Sequence, residues 1–468
     1  MGRERCGRSI GAGDRGGTPH GFGAGFAAWF GQVPPRHASG TMARMQPMDP
    51  SLPNPVPAVD FRISIQGTEP EIWRRLLVPE TITVPQFHEA IQRAFGWHDQ
   101  HLYGIRCVDR HGEGRIILGP DETAEDVGAE PASGVVLFEL LDAAGPSPEL
   151  FEYEYDFGDS WIHTVELVGP ALLPEGTIRC VAGANRGPVE DSGGPGGYRH
   201  LAEVLANEKH PEHHDAAVWF YEVTGEWTSR FDVTAFDLDA VNRSLRRLSL
   251  QLWPRPVTPA ERDAVLRPVL WLLENAAGEG LELTKDGYLK PAMVRRTLEE
   301  LGWVDETLGK GNRESHTPEV LDLRLQLLTW QLLRKRNGRL VLGSMGKLGL
   351  ANPDKLWDYL VQTVGAPQHD AVKLMTRLAA HWSVQGFEPS YSIRDEVIIR
   401  ALEASGFVTR SGDPIPAEWI RDIDRTVRQS LGSLQLTIPG AHFRLQEREL
   451  SDGGLKFLLQ VQATLGDR

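Results

Sequence analysis

Apolar and polar residues alternate over much of residues 59–167, and the pattern changes to a helical period in the second half of the chain. Phe61, Ile63 and Ile65 mark a strand with one buried face. After a Gly-Thr-Glu-Pro-Glu turn, Trp73, Leu76 and Val78 mark a second. Pro85 suits the first turn of a helix, Phe87, Ile91 and Phe95 then share one face at i, i+4 and i+8, and Gly96 ends it. Further strands are expected over 102–108, 115–118 and 134–141, and helices over 198–206, 212–222 and 238–248. The order β-β-α-β-β-β-β-β predicts an α+β domain over residues 58–250 with a mixed, largely antiparallel sheet.

Residues 151–163, Phe-Glu-Tyr-Glu-Tyr-Asp-Phe-Gly-Asp-Ser-Trp-Ile-His, form the most specific stretch. Alternation stops at Gly-Asp-Ser and resumes through Trp161, His163, Val165 and Leu167, as in a half-buried hairpin. A three-residue loop, Gly158-Asp159-Ser160, would oppose Phe157 to Trp161, Tyr155 to His163, Tyr153 to Val165 and Phe151 to Leu167. That keeps one face apolar, whereas a two-residue loop scrambles the faces. This register puts His163 on the face of Tyr155 and turns Asp156 away from it.

Three prolines in Trp253-Pro-Arg-Pro-Val-Thr-Pro259 mark residues 251–259 as a linker. Beyond it, residues 260–468 read as mainly helical, with helices over 260–275, 290–301, 318–333, 354–364, 369–382 and 393–403. Alternation around Ser451-Asp-Gly-Gly454 predicts a C-terminal hairpin over 443–465. Leu281–Leu289 and Leu340–Leu348 share the pattern Leu-x-Leu-x-x-x-Gly-x-Leu. The second copy follows a helix and the basic turn Arg334-Lys335-Arg336-Asn337-Gly338. This sequence of elements resembles the end of a winged helix.

Composition narrows the functional classes. A net charge of −15 excludes a general polyanion binder, so nucleic-acid contact would have to be local. The candidates are Arg334, Lys335, Arg336, Arg339 and Lys347, a stretch with five basic residues and no acid. Cys6, Cys107 and Cys180 form neither a zinc pattern nor a disulfide framework, which fits a reducing cytoplasm. No run of 18 apolar residues predicts a membrane span. Residues 1–50 are rich in glycine, lack periodicity and are expected to be a disordered tail. Met42, Met45 and Met48 are alternative starts.

Five blocks together resemble the plasmid pRiA4b ORF-3-like family. They are Ile72-Trp-Arg-Arg-Leu76, Phe87-His-Glu-Ala-Ile-Gln92, Phe95-Gly-Trp-His-Asp-Gln-His-Leu102, Tyr155-Asp-Phe-Gly-Asp-Ser-Trp-Ile-His163 and Glu190-Asp-Ser-Gly-Gly-Pro-Gly-Gly-Tyr198. Where the family reads Pro-Pro-Glu-Asp, this chain has Pro188-Val189-Glu190-Asp191, which keeps both acids. The resemblance implies an α+β domain of plasmid or mobile-element origin and transfers no catalytic residues, because the family has none assigned.

Within these blocks, His98, His101, His163, Asp159, Glu190 and Asp191 are ligand-type side chains for a divalent metal. A divalent metal is the one cofactor the pattern suggests. Each residue also has a plain structural reading: aspartates suit turns, and a histidine can sit satisfied at a core edge. The cluster His210, Glu212, His213, His214 and Asp215 reads as a helix start as readily as a ligand set. The glycine run 193–197 lacks the Lys-Ser/Thr ending of a phosphate loop. Three functions compete. The first is a binding or accessory protein that contacts DNA, or a protein partner, through the C-terminal half. The second is a metal-dependent hydrolase or nuclease, and the third is an interaction scaffold without nucleic-acid binding.

Overall fold

The computed structural model describes residues 55–108, 114–144, 149–228, 231–303, 313–367, 369–386, 391–409, 415–438 and 449–466. The tail over 1–50 therefore lies outside the described residues. The chain forms two compact units, divided between Leu248 and Ser249, and its class is α+β. Among the described residues, no helix is long and apolar enough to cross a membrane.

The first unit is built on an eight-stranded sheet of order β5-β4-β3-β6-β7-β1-β2-β8. Its strands are β1 (Pro55–Ile65), β2 (Trp73–Pro79), β3 (Tyr103–Val108), β4 (Gly114–Gly119), β5 (Glu130–Pro131), β6 (Glu149–Tyr155), β7 (Trp161–Pro174) and β8 (Arg179–Ala184). Pairing is antiparallel except for β4 with β5. One face is covered by α1 (Val84–Phe95), which opens with a capping box between Thr83 and Gln86 and closes at the left-handed Gly96. Phe87 of α1 packs against Phe61 and Phe151, which lie on β1 and β6, with ring centroids 5.5 and 6.1 Å away. Five more helices follow among the described residues: α2 (Asp121–Val127), α3 (Leu137–Ala144), α4 (Gly194–Leu205), α5 (His213–Thr224) and α6 (Leu238–Leu252). The strand expected over 134–141 is instead a 3-10 turn at Ala132–Gly134 followed by α3. Leu137 and Leu140 are both buried, at helical rather than strand spacing.

Arg74 ties this unit together. Its guanidinium is buried and, among the described residues, meets no carboxylate. It donates to the carbonyls of Ala94 (2.8 Å), Trp73 (2.8 Å), Ala184 (2.8 Å) and Asn185 (2.9 Å), between the rings of Phe95 and Phe236. Burial pulls its pKa down to about 10, so it stays charged at neutral pH. One side chain thus joins β2, the end of α1 and the exit of β8. The chain beyond β8 then runs so close to α1 that a Cβ on Gly187 would lie 1.7 Å from the Phe95 carbonyl oxygen, a contact that only glycine permits.

The second unit begins with α7 (Pro259–Ala276), β9 (Leu281–Glu282), α8 (Pro291–Leu301), α9 (Pro318–Thr329), β10 (Leu333–Arg336) and β11 (Arg339–Leu342). The three strands form one antiparallel sheet of order β10-β11-β9. Helices α10 (Ser344–Ala351), α11 (Pro353–Gly365), α12 (Asp370–Gln385), α13 (Tyr391–Ala404), α14 (Ala417–Gly432) and α15 (Asp452–Gly466) complete it. The C-terminal hairpin expected over 443–465 is corrected: residues 443–448 lie outside the described residues, and 452–466 form α15. Leu455, Leu458, Val461 and Leu465 recur every three or four residues and are all buried in the core of this unit. Arg324 of α9 and Glu314 just before it form a buried ion pair, and Glu314 also accepts from the Leu289 N–H at 2.6 Å.

Replacing Arg74 with Met should leave buried carbonyls on three segments without donors. At roughly 1–3 kcal/mol for each unsatisfied group, the first unit is expected to lose at least about 3 kcal/mol, read from urea unfolding. A loss below about 1 kcal/mol would remove Arg74 from this role.

Candidate functional site

Three segments bring polar side chains together beside the end of α1. After Gly96, the N–H of Asp99 donates to Gln92 Oε1 (2.9 Å), and that of Gln100 to the Tyr155 hydroxyl (2.9 Å). Asp99 itself is left-handed, at φ 54°. The segment thereby presents His101 just before β3. The second segment is the turn between β6 and β7. Asp156, at φ 55°, accepts from the N–H groups of Gly158 (2.9 Å) and Asp159 (3.3 Å) through its own Oδ1, while Oδ2 lies toward His101. The third is the loop before α4, where Asp191 is also left-handed, at φ 56°.

His101 Nε2 lies 3.1 Å from Asp191 Oδ1, 3.6 Å from Asp156 Oδ2 and 3.8 Å from Glu190 Oε2. This nitrogen is shielded from solvent and finds no hydrogen-bond partner among the described residues. His101, Asp156 and Asp191 each place one ligand atom within 4.8 Å of the others. Ligands on opposite sides of an ion at roughly 2.1 Å each would stand about 4.2 Å apart, so a small contraction would suffice. The Glu190 side chain is 3% exposed, and its Oε1 accepts from the His98 N–H (2.8 Å) and the Tyr155 hydroxyl (3.0 Å). Burial raises its pKa, which those hydrogen bonds and His101 partly offset. Asp191 is 59% exposed, so the cluster opens to solvent on that side.

Of the six side chains expected to ligate a metal, His101, Glu190 and Asp191 converge and the other three do not. The His98 ring is outside the group, and burial and Arg93 lower its pKa. Asp159 closes the loop instead, its Oδ2 accepting from the Gly193 N–H at 2.8 Å. His163 is wholly buried among Phe95, Trp97 and Tyr153, and its Nδ1–H donates to the Trp161 carbonyl at 2.9 Å. The hairpin register is also corrected. Tyr155 opposes Trp161, Tyr153 opposes His163 and Phe151 opposes Val165. The loop is therefore Asp156–Ser160. A two-residue shift keeps the apolar face buried but takes Asp156 out of the strand, and so into the site. Asp156 is the residue that sequence reasoning missed, and its signal was the turn chemistry of Asp156-Phe-Gly158.

A second network adjoins the site. His88 Nε2–H donates to Asp99 Oδ1 (2.8 Å), and Nδ1 accepts from the Tyr153 hydroxyl (2.8 Å), which in turn accepts from Gln92 Nε2 (3.2 Å). Burial lowers the His88 pKa, consistent with a neutral ring. The histidines of the 210–215 cluster do not gather. His213 donates to the Val204 carbonyl (3.0 Å), and His210 Nδ1 accepts from the Glu212 N–H (3.2 Å).

The basic group lies in the second unit. Arg334, Lys335, Arg336 and Lys347 are exposed. Strand pairing sets Arg334 and Arg336 on one face of the β10–β11 hairpin and Lys335 on the other, so the group divides between two faces. Arg339 is partly engaged, donating to the Gly280 carbonyl at 3.1 Å and lying 3.7 Å from Glu279.

Comparison with known proteins bears on the first unit. A family model described as plasmid pRiA4b ORF-3-like protein matches residues 57–240. An uncharacterized protein, y4hQ, of Sinorhizobium fredii is 33% identical over 200 residues, covering 42% of this chain and 94% of its own. The chain belongs to the plasmid pRiA4b ORF-3-like family. A solved structure similar to it, a protein of unknown function from Methanosarcina mazei Go1, is 30% identical. That match covers 39% of this chain and 96% of the other, with a TM-score of 0.34. All four clustered residues fall inside the segment matched by the plasmid pRiA4b ORF-3-like model, whereas the basic hairpin falls outside it.

Burial lowers the His163 pKa to about 4. An unfolded imidazole takes up a proton near pH 6.5, so between those values the unfolded state binds more protons. Stability should therefore fall as pH drops from about 6.5 to 4, by about 3 kcal/mol at the lower end. Urea midpoints measured across this range should show a shallower acid limb for His163→Gln than for the parent. Parallel limbs would contradict a neutral, buried His163.

Proposed function

We propose that the first unit is a divalent-cation-binding module, with the ion held by His101 Nε2, Asp156 Oδ2 and Asp191 Oδ1 and with Glu190 beside them. The observation that carries this reading is the convergence of three carboxylates on one shielded imidazole nitrogen that finds no hydrogen-bond partner among the described residues. Among the described residues, no lysine or arginine forms an ion pair with these carboxylates, so like charge accumulates there unless a cation neutralises it. One imidazole among oxygens suits Mn2+, Fe2+ or Zn2+ better than a soft ion. A bound ion with an open position could polarise a phosphoryl or carbonyl oxygen, and that is the hydrolytic form of the same reading. The binding module is the preferred form, because the convergence of His101 and the carboxylates supports holding an ion and by itself carries no reaction.

A second reading concerns the second unit. We infer that it is winged-helix-like and touches DNA through its basic hairpin. The support is its element order, helix, strand, helix, helix, strand, strand, with one three-stranded sheet and an exposed Arg-Lys-Arg tip.

Titration calorimetry of chelator-stripped protein with Mn2+ and with Zn2+ is expected to give one saturable site. His101→Ala and Asp156→Asn should each weaken it at least about 100-fold, since even loss of an outer partner costs 10–100-fold. Affinity should also fall on acidification, because a ligating imidazole must be neutral. No saturable binding, or binding indifferent to both substitutions, would overturn the reading.

A further inference from the structure

We propose that the β10–β11 hairpin grips the two phosphate backbones bordering a groove of duplex DNA, while helix α9, which holds the place of a recognition helix, stays out of the groove. This rests on the second reading above and specifies how that unit would meet its ligand.

The hairpin is built to be rigid. Asn337 and Gly338 form a two-residue turn with φ of 48° and 70°, closed by the pairing of Arg336 with Arg339. Positive φ at both central positions is the turn that matches strand twist, and Asn-Gly is the pair best able to adopt it. Alternation along β10 sends Arg334 and Arg336 to one face and Lys335 to the other. All three are exposed, and none has an ion-pair partner among the described residues. β9 flanks β11, and Lys335 shares its face with the buried Leu333 and Leu340, yet the three cations stay exposed on two faces near the turn, which matches two walls of negative charge better than one flat surface. The sugar-phosphate strands on either side of a groove present such walls, and a lipid surface does not.

Helix α9 has the opposite character. Its single basic residue, Arg324, is buried in the ion pair with Glu314. Glu319, Leu325 and Thr329 are exposed, so the outward residues include an acid and offer phosphate no cation. Its flank is also occupied: α14 packs on it, and Gln429 donates to the Asp322 carbonyl at 3.3 Å. A recognition helix needs an exposed, donor-rich face at its N-terminal end. Here that end carries Glu319. With about three phosphate contacts and no base-reading helix, binding should be weak, independent of sequence and sensitive to salt.

The test is fluorescence anisotropy of the full chain with a random-sequence duplex of roughly 25 base pairs, over a salt series, with co-sedimentation on phosphatidylserine vesicles alongside. The expected result is duplex binding with a log–log salt slope near −3, at about −0.9 per contact. R334A/K335A/R336A should lower affinity at least about tenfold and flatten the slope. K335A alone should weaken binding, because it removes the contact to one wall. Glu319→Gln and Leu325→Ala should not weaken it. Circular dichroism checks that the variants fold, which their surface positions favour. No duplex binding by the parent at low salt would overturn the DNA reading itself. Duplex binding undiminished in the triple variant would leave DNA contact by the chain standing and overturn the hairpin's part in it, in the second reading as in this proposal. Loss of binding in the α9 variants would put the helix in the groove and overturn the proposal, as would vesicle binding without duplex binding.

Discussion

A buried guanidinium with no carboxylate partner among the described residues is the constraint around which the first unit is organised. Arg74 stays charged, so it must find acceptors, and the four carbonyls it finds lie on β2, at the end of α1 and at the exit of β8. Two of those places lead directly into the candidate site. The end of α1 runs on to His101, and the exit of β8 runs past Gly187 to Glu190 and Asp191. The third contributor, the β6–β7 turn, is tied to the same loop through Asp159 and the Gly193 N–H. A polar interaction deep in the fold thus fixes the distance between segments that are far apart in sequence. The site inherits its geometry from that tie.

Backbone conformation then concentrates charge at one point. Asp99, Asp156 and Asp191 are all left-handed, a conformation that short polar side chains tolerate and that commonly marks functional turns. Asp156 uses one oxygen to cap its own turn and so frees the other for the cluster. Glu190 is held by a main-chain N–H and a tyrosine hydroxyl, in surroundings that raise its pKa. Burial of Glu190 and of His101 Nε2 beside the Tyr155 ring screens that side of the cluster from water. Screening strengthens electrostatic interactions of either sign, so it favours a cation there and penalises bare carboxylates.

Much of the first unit could be read from pattern, because the strands around Phe61 and Leu76 and the helix through Phe87 each bury one face. The same logic determined the buried face of the hairpin but not its register. A shift of two residues leaves the faces unchanged, and only the Asp156 side chain, by capping a longer loop, decides between the two registers. That is why His163 looked like a ligand and is core, and why Asp156 looked excluded and is central. Short apolar runs misled for a related reason. Leu137 to Leu140 and Leu455 to Leu465 fit either period over a few residues, and their packing surroundings settle them as helices. In the second unit, residues 334–338 read from sequence as a turn, whereas Leu333–Arg336 form β10 and Asn337-Gly338 alone makes the turn. The alternation that splits its cations between two faces follows only once that pairing is known.

The central claim is that His101, Asp156 and Asp191 surround a cation position whose spacing is set by the fold. Anomalous diffraction at the manganese edge, from crystals of the full chain soaked in Mn2+, tests it most directly. The account predicts a peak roughly 2.0–2.3 Å from His101 Nε2 and from oxygens of Asp156 and Asp191. Crystals that take up manganese elsewhere while this position stays without a peak, or in which the His101 ring turns away from the carboxylates, would contradict it.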